Sequence, residues 1–152
     1  MNSILNIFSN LFLWGAVASW ILAQGLKVPI HALTDHRWDF KYFWSPGGMP
    51  SSHSASALSV AILVGAKIGW GSAEFAIAVV FSAIVMYDAA GVRRETGRQG
   101  AAINEILSKV MVDGKPISDE ELKEIVGHSP FEVLMGALTG TIVAIVLLLC
   151  FG

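Results

Sequence analysis

Residues 54–92 read SASALSVAILVGAKIGWGSAEFAIAVVFSAIVMYDAAGV. The stretch consists of two apolar runs, 54–70 and 72–92, joined at a glycine-rich turn. At about 1.5 Å per helical residue, each run is long enough to traverse most or all of a hydrocarbon core about 30 Å thick. The turn is too short for anything but a tight hairpin, so the stretch predicts two adjacent membrane helices. Lys67 lies near the end of the first, where its ammonium reaches the interface.

Two further apolar runs lie outside this hairpin. Residues 1–26 contain no Asp, Glu, Lys or Arg and predict a span over about 4–25. A secretory signal peptide is the alternative, but residues 1–10 contain no Lys or Arg and no small-residue cleavage pattern follows. The last run predicts a span over 132–151. Because lipid offers no hydrogen-bond partners, these spans must be helical. We therefore predict one domain, residues 1–152, folded as an all-α integral membrane bundle of four transmembrane helices.

The composition agrees with a membrane protein. Hydrophobic residues make up 54% of the chain. Charged residues make up only 14%, against about 25% in soluble domains. The net charge of −2 excludes the basic excess typical of nucleic-acid-binding proteins. Cys150 is the only cysteine, which excludes an intramolecular disulfide framework and a multi-cysteine metal site.

The charged residues concentrate on one side of the predicted bundle. Four spans place the loops 27–53 and 93–131 on one face and the 67–74 hairpin on the other. Nine of the ten Lys and Arg residues lie on the first face, which the positive-inside rule assigns to the cytoplasm. Basic residues kept for an anionic substrate would give the same count on either face.

The second loop is predicted to be partly helical. In RQGAAINEILSKVM, residues 98–111, apolar side chains recur on one face of a helix that lies either on the membrane surface or over the bundle. Ser118 and Glu121 form a capping-box pattern that opens a short acidic helix, which Gly127 ends.

Gly136 and Gly140 form a small-x-x-x-small pattern within the last span. Such a pattern lets two helix backbones approach closely. The approach takes place either within the chain or between two chains, which leaves a homodimer open.

The stretch PGGMPSSH, residues 46–53, ends where the second predicted span begins. Helix N-termini expose unpaired N–H groups and the positive end of the helix dipole, so this is a candidate phosphate cradle. For Ser51 alone, we favour an ordinary N-cap after a Pro/Gly turn. We interpret His53, directly behind the two serines, as a functional residue.

The stretch GHSPFE, residues 127–132, precedes the last span. A helix that begins at Pro130 places Glu132 in its first turn and His128 just before it. The carboxylate can then hold one imidazole nitrogen and leave the other for nucleophilic or base chemistry. The competing interpretation is a capping box of Ser129 and Glu132 with no further role.

Cations accompany these histidines on the same face. Arg93, Arg94 and Arg98 follow the third span, and Lys27 and Arg37 lie in the first loop. Arginines beside a membrane commonly meet lipid headgroups. Guanidinium groups also bind phosphate oxygens in pairs, so the whole set fits a tetrahedral oxyanion.

Three motifs of the chain resemble those of a known protein family. GGMPSSHSA (47–55) and GHSPFEVLMGALTG (127–140) resemble the two histidine blocks of the type 2 phosphatidic acid phosphatases and the vanadium-dependent haloperoxidases. With YDAAGVRR (87–94), the whole chain is similar to a divergent branch of that superfamily. The resemblance implies a lipid phosphate phosphatase that works without a metal or other cofactor in a bacterial cytoplasmic membrane, among membrane lipids.

The resemblance also implies a role for each matching residue. His128 would attack phosphorus and form a phosphohistidine, Glu132 would orient it, and His53 would protonate the leaving oxygen. The remaining residues would bind phosphate or support the site: Lys27, Arg37, Ser51, Ser52, Arg93 and Arg94 as phosphate ligands, with Asp88 and Gly48 in support.

The sequence departs from the family in two places. The family arginine that precedes the nucleophile by six residues is replaced by Leu122, so Arg93 or Arg94 would substitute for it. The family's lysine–arginine block is also missing, which leaves Lys27 and Arg37 as unaligned phosphate ligands.

Two other functions remain open from the sequence. The first is a metal-dependent hydrolase, for which the available ligands would be Asp88, Glu132, His53 and His128, with His31 or His36. The second is a non-enzymatic lipid-binding or transport protein of the same fold. We interpret His31 and His36 themselves as loop histidines near the interface.

Overall fold

The computed structural model describes residues 7–45, 47–109, 111–112, 115–116 and 127–151. The chain is all-α, as predicted. In chain order the elements are α1 (Leu11–Asp35), a 3₁₀ turn (Phe40–Trp44), α2 (Ser52–Lys67), α3 (Ala73–Ala90), α4 (Val92–Lys109), β1 (Met111–Val112), β2 (Lys115–Pro116) and α5 (Pro130–Phe151). The two short strands pair with each other antiparallel.

Within the described residues, three helical runs are long and apolar enough to cross a membrane: Leu11–Thr34, Ala73–Ile106 and Pro130–Phe151. The other predicted span, α2, has 16 residues, or about 24 Å of helix. It is the central helix and packs against α1, α3 and α5. Nine of its residues are buried, so more than half of this helix packs against protein. The protein is thus an integral membrane helical bundle.

Helix α1 is displaced along the sequence from the predicted span of 4–25. It begins after Asn10, whose side-chain oxygen accepts hydrogen bonds from the amides of the second and third helical residues at 2.9 and 3.2 Å. It then continues past Lys27 and Pro29 to Asp35. Pro29 removes only one backbone hydrogen bond, and Lys27 is fully buried against protein. The predicted 27–53 loop therefore begins in the last third of a helix.

Helices α2 and α5 approach each other backbone to backbone. A Cβ added at Gly136 would overlap the carbonyl oxygen of Ser51, and one added at Gly140 would overlap that of Ala55. The small-x-x-x-small pattern is therefore used within the chain. It places the start of α2 directly against the first turns of α5.

Serine hydroxyls join the helices inside the bundle. Ser56 donates to the carbonyl oxygen of Ala16 in α1 at 3.0 Å, and Ser82 in α3 donates to that of Ala57 at 2.8 Å. Apolar side chains gain little by leaving lipid for protein, so close packing and interhelical hydrogen bonds stabilise membrane bundles. The serines of α2 and α3 supply such bonds without charge.

The two ends of the bundle differ. At one end the Lys67 ammonium donates to the carbonyl oxygen of Phe151 at 3.0 Å, which joins the ends of α2 and α5. The start of α2, the end of α3 and the start of α5 meet at the other end. All the predicted site residues lie in segments that reach this second end.

The amphipathic helix predicted in the second loop is confirmed by α4. Two residues of its apolar face, Ile103 and Ile106, are exposed. The acidic helix predicted from Ser118 and Glu121 lies outside the described residues.

Gly140→Ala is expected to lower the free energy of unfolding by about 1–3 kcal/mol, because the added methyl group meets backbone that cannot move aside. Gly25→Ala in α1 is the matched control, since its added Cβ meets nothing within 4 Å. We expect the control to leave stability unchanged or to raise it by up to about 1 kcal/mol. Thermal unfolding in detergent measures both variants, and equal effects would contradict the close helix contact.

Candidate active site

The first part of the site is the N-terminus of α2. The Ser51 hydroxyl caps the helix by accepting from the Ser54 amide at 3.4 Å, and the Ser54 hydroxyl lies 3.1 Å from it. Ser51, Ser52 and Ser54 are all buried. The N-cap predicted for Ser51 is therefore present. The same turn also presents the positive end of the helix dipole to the protein interior.

A backbone hydrogen bond joins this turn to α5. The Ser51 amide donates to the carbonyl oxygen of Glu132 at 3.0 Å. The contact of Gly136 with Ser51 lies one helical turn further along α5. Together they hold the two helix starts in a defined register.

His128 and Glu132 interact directly. Nδ1 of His128 lies 3.1 Å from Oε2 of Glu132. An ionised carboxylate only accepts hydrogen bonds, so it selects the ring form with hydrogen on Nδ1. The Nε2 atom is then the ring nitrogen with a lone pair, and it is inaccessible to solvent. This pairing is the geometry that the sequence spacing predicted.

The same carboxylate also completes a capping box. Oε2 of Glu132 accepts from the Ser129 amide at 3.1 Å, and the Glu132 amide donates to the Ser129 hydroxyl at 3.3 Å. Glu132 therefore forms both the capping box with Ser129 and the contact with His128. The cap fixes the carboxylate, and the carboxylate fixes the imidazole.

His128 is held from a second direction by α3. Its amide donates to the carbonyl oxygen of Ala89 at 3.1 Å, and its side chain is only 1% exposed. The ring of His53 lies beside it, with ring centroids 6.1 Å apart and planes inclined at 63°. The two predicted histidines, which are 75 residues apart in the sequence, thus occupy one site.

Lys27 lies inside the protein although it carries a charge. Its side chain is 0% exposed. Its ammonium donates to the carbonyl oxygen of Ser45 at 2.8 Å, and the charge of Glu132 acts on it. A buried ammonium in a membrane helix needs such partners. The structure therefore places the buried Lys27 ammonium within electrostatic range of the carboxylate of the site.

Gly48 shapes the segment that passes Lys27. Its φ of 87° lies in the left-handed region, and an added Cβ would stand 3.0 Å from Nε2 of His31. His31 is a helix residue of α1 rather than a loop histidine, and its ring stacks on Tyr42 at 3.7 Å. His31 is helical because α1 continues beyond the predicted span, to Asp35. His36 is exposed where that helix ends.

The predicted arginines are described by their exposure or backbone position and not by contacts with the histidines. Arg37 is exposed in the segment after α1. The backbone of Arg93 and Arg94 forms the first turn of α4, and their side chains lie outside the described part of the structure. Asp88 is half-buried near the end of α3. Among the described residues, no three His, Cys, Asp or Glu side chains lie where they would hold one metal ion.

A cavity of about 360 Å³ reaches His53 from the apolar side of the bundle. Three helices line it, and its walls are mainly apolar: Ala16 and Trp20 from α1, Ser52, His53, Ser56, Ala57 and Val60 from α2, and Ala78, Phe81 and Val85 from α3. Trp20 and the α3 residues were not predicted from the sequence. In the sequence they are only apolar side chains within a predicted span, and every membrane helix contains such side chains.

Comparisons with known proteins agree with these motifs. The sequence profile of the Divergent PAP2 family matches residues 8–143. The chain is 35% identical over 153 residues to YuiD, an uncharacterized membrane protein of Bacillus subtilis strain 168. That alignment covers 94% of this chain and 97% of the relative. No solved structure matches the chain. The family expected from the motifs is thereby confirmed.

Two substitutions distinguish the capping role of Glu132 from its contact with His128. Ser129→Ala removes half of the capping box and is expected to cost about 1 kcal/mol of stability while the His128 ring stays unchanged. Glu132→Ala is expected to cost at least as much and also to release the ring hydrogen from Nδ1. Thermal unfolding and ¹⁵N NMR of histidine-labelled protein measure the two effects. Equal movement of the His128 ring signals in both variants would refute the orienting role.

Proposed function

The chain belongs to the divergent PAP2 family, and we propose that it is a membrane-embedded phosphatase that hydrolyses a phosphomonoester or diphosphate of a lipid. One observation carries the proposal. His128, held by Glu132 at 3.1 Å, lies with its ring centroid 6.1 Å from that of His53 at the buried start of α2. One histidine is thereby prepared as a nucleophile, and a second titratable group stands beside it.

The proposed reaction has two steps. Nε2 of His128 attacks phosphorus, the N–P bond forms, and the P–O bond to the lipid breaks. His53 gives its proton to the leaving oxygen as that bond breaks. Water then attacks the phosphohistidine, the N–P bond breaks, and the proton released by water returns to His53. Glu132 keeps the His128 ring oriented in both steps.

Phosphate would be held by groups around the two histidines. The start of α2 supplies the amide of Ser52 and the positive end of the helix dipole, and Lys27 supplies a buried cation. Arg93 or Arg94, at the first turn of α4, would take the role of the missing family arginine. Phosphoryl transfer depends chiefly on charge stabilisation and positioning, which such a set supplies.

The cavity beside His53 favours a lipid over a water-soluble ester. It opens between α1, α2 and α3 and is bounded by Trp20, Val60 and Phe81. Apolar walls that end at a polar group match a ligand with a hydrocarbon chain and a polar head. The membrane in question would be the bacterial cytoplasmic membrane, with the site at its cytoplasmic face by charge bias.

His128→Ala is expected to lower phosphate release by more than about 10³-fold, because the nucleophile has no substitute. His53→Gln is expected to lower it by about 10²–10⁴-fold. The assay measures phosphate released in EDTA from phosphatidate, phosphatidylglycerophosphate and a polyprenyl diphosphate in mixed micelles. His36→Asn, at an exposed histidine, is the control and should keep the parent rate.

Two results of this assay would count against the proposal. A His128→Ala protein as active as the parent would exclude the phosphohistidine. Lipid that copurifies with the parent protein but is never hydrolysed would favour the non-enzymatic lipid-binding alternative.

Ala78→Phe is expected to fill the cavity beside His53 and to raise KM for a long-chain lipid phosphate about 10-fold or more, since apolar contact is lost along the chain. A short-chain phosphate should keep its parent rate. Ala76→Phe is the matched control, because Ala76 is exposed on α3 and does not line the cavity. Equal effects on both chain lengths would show that the cavity does not hold the chain.

A further inference from the structure

A second carboxylate residue, Asp88, lines a cavity together with His53. A small cavity of about 220 Å³ is lined by five residues: His53, Ile84, Val85, Asp88 and Ala89. Two of these are ionisable, and one is the proposed proton donor. The other three are apolar, so the interaction between the imidazole and the carboxylate is weakly screened.

The position of Asp88 is unusual for a structural residue. It lies in the last turn of α3, within the helical run that is long enough to cross a membrane. Carboxylates in such helices are expensive to bury and face polar groups or functional sites. Asp88 is half-buried, and the one other ionisable residue that lines its cavity is His53.

Asp88 also belongs to the turn that positions the nucleophile. The carbonyl oxygen of the next residue, Ala89, accepts the hydrogen bond from the His128 amide at 3.1 Å. The last turn of α3 therefore contacts His128 through its backbone and lines a cavity with His53 through a side chain. A shift of this turn would therefore act on His128 directly and would change the cavity that His53 lines.

We propose that Asp88 is a positioning residue for His53, which orients its imidazole and keeps it able to donate a proton to the leaving oxygen. The role rests on the proposed phosphatase function. When the P–O bond breaks, the proton passes from His53 to that oxygen, and Asp88 holds the resulting neutral ring in place. Each histidine then has its own carboxylate, Glu132 for His128 and Asp88 for His53.

The other titratable groups near His53 come from the two remaining sides of the site. His128 stands beside it, and Glu132 lies behind His128. Lys27 approaches from α1 and interacts with Glu132. Removal of Asp88 therefore takes away the negative charge that shares a cavity with His53, while the pairing of His128 is retained.

The kinetic test compares two leaving groups. Asp88→Asn is expected to lower hydrolysis of hexadecyl phosphate about 10²-fold, because an alkoxide needs a proton to leave. The loss on p-nitrophenyl phosphate should be less than about 10-fold, because that leaving group departs without one. Asp88→Glu should restore part of the activity. Glu74→Gln, which removes an exposed carboxylate from the same helix, should leave both rates unchanged.

A double variant shows whether Asp88 acts through His53. In a His53→Gln background, Asp88→Asn should cause no further loss on hexadecyl phosphate. A purely structural role would lower both substrates alike and would multiply the loss caused by His53→Gln. Either of those results would overturn the proposal.

An independent readout uses the histidine rings themselves. In ¹⁵N NMR of histidine-labelled protein, Asp88→Asn should move the His53 ring signals, assigned from their absence in His53→Gln, and leave those of His128 in place. Unmoved His53 signals in a folded Asp88→Asn protein would overturn the positioning role. If the parent hydrolyses no substrate, the proposed function fails, and these signals alone decide whether Asp88 acts on His53.

Discussion

The close approach of α2 and α5 is the contact on which the site depends. Gly136 and Gly140 bring the backbone of α5 against the carbonyl groups of Ser51 and Ala55. At that separation the Ser51 amide reaches the Glu132 carbonyl oxygen. His53 and His128 follow from this register, because each lies within four residues of one of the two bonded groups. A side chain in place of either glycine would part the helices and the histidines with them.

Polar groups inside the bundle are satisfied mostly without charge. Serines of α2 and α3 donate to carbonyl oxygens of neighbouring helices, which explains how a chain with 14% charged residues carries a polar interior. The charged exceptions gather at one end. Lys27 is fully buried there and is compensated by the Ser45 carbonyl oxygen and by Glu132. Isolated burial of that ammonium would cost several kcal/mol, on the order of the whole stability of a domain.

Local spacing predicted the contacts that lie within one helical turn. The pairing of His128 with Glu132 and the cap at Ser51 follow from residue spacing at a helix start, and the structure contains both. The bounds of α1 did not follow, because a lysine and a proline normally mark the end of an apolar helix. Only the tertiary contacts of Lys27 explain why the helix continues. The cavity at His53 could not be predicted from the sequence either, because it is lined by ordinary apolar side chains from three helices.

Within the proposed function, the charge balance around the histidines gives Arg93 and Arg94 a role. The described side chains around the histidines include one lysine, Lys27, and two carboxylates, Glu132 and Asp88. A phosphate monoester adds about 1.5 to 2 negative charges at neutral pH. The dipole at the start of α2 contributes only about half a charge, and a protonated His53 contributes one.

Arg93 and Arg94 lie four and five residues after Ala89, whose carbonyl oxygen accepts the hydrogen bond from the His128 amide. Within the proposed function, Arg93 and Arg94 would supply the remaining positive charge.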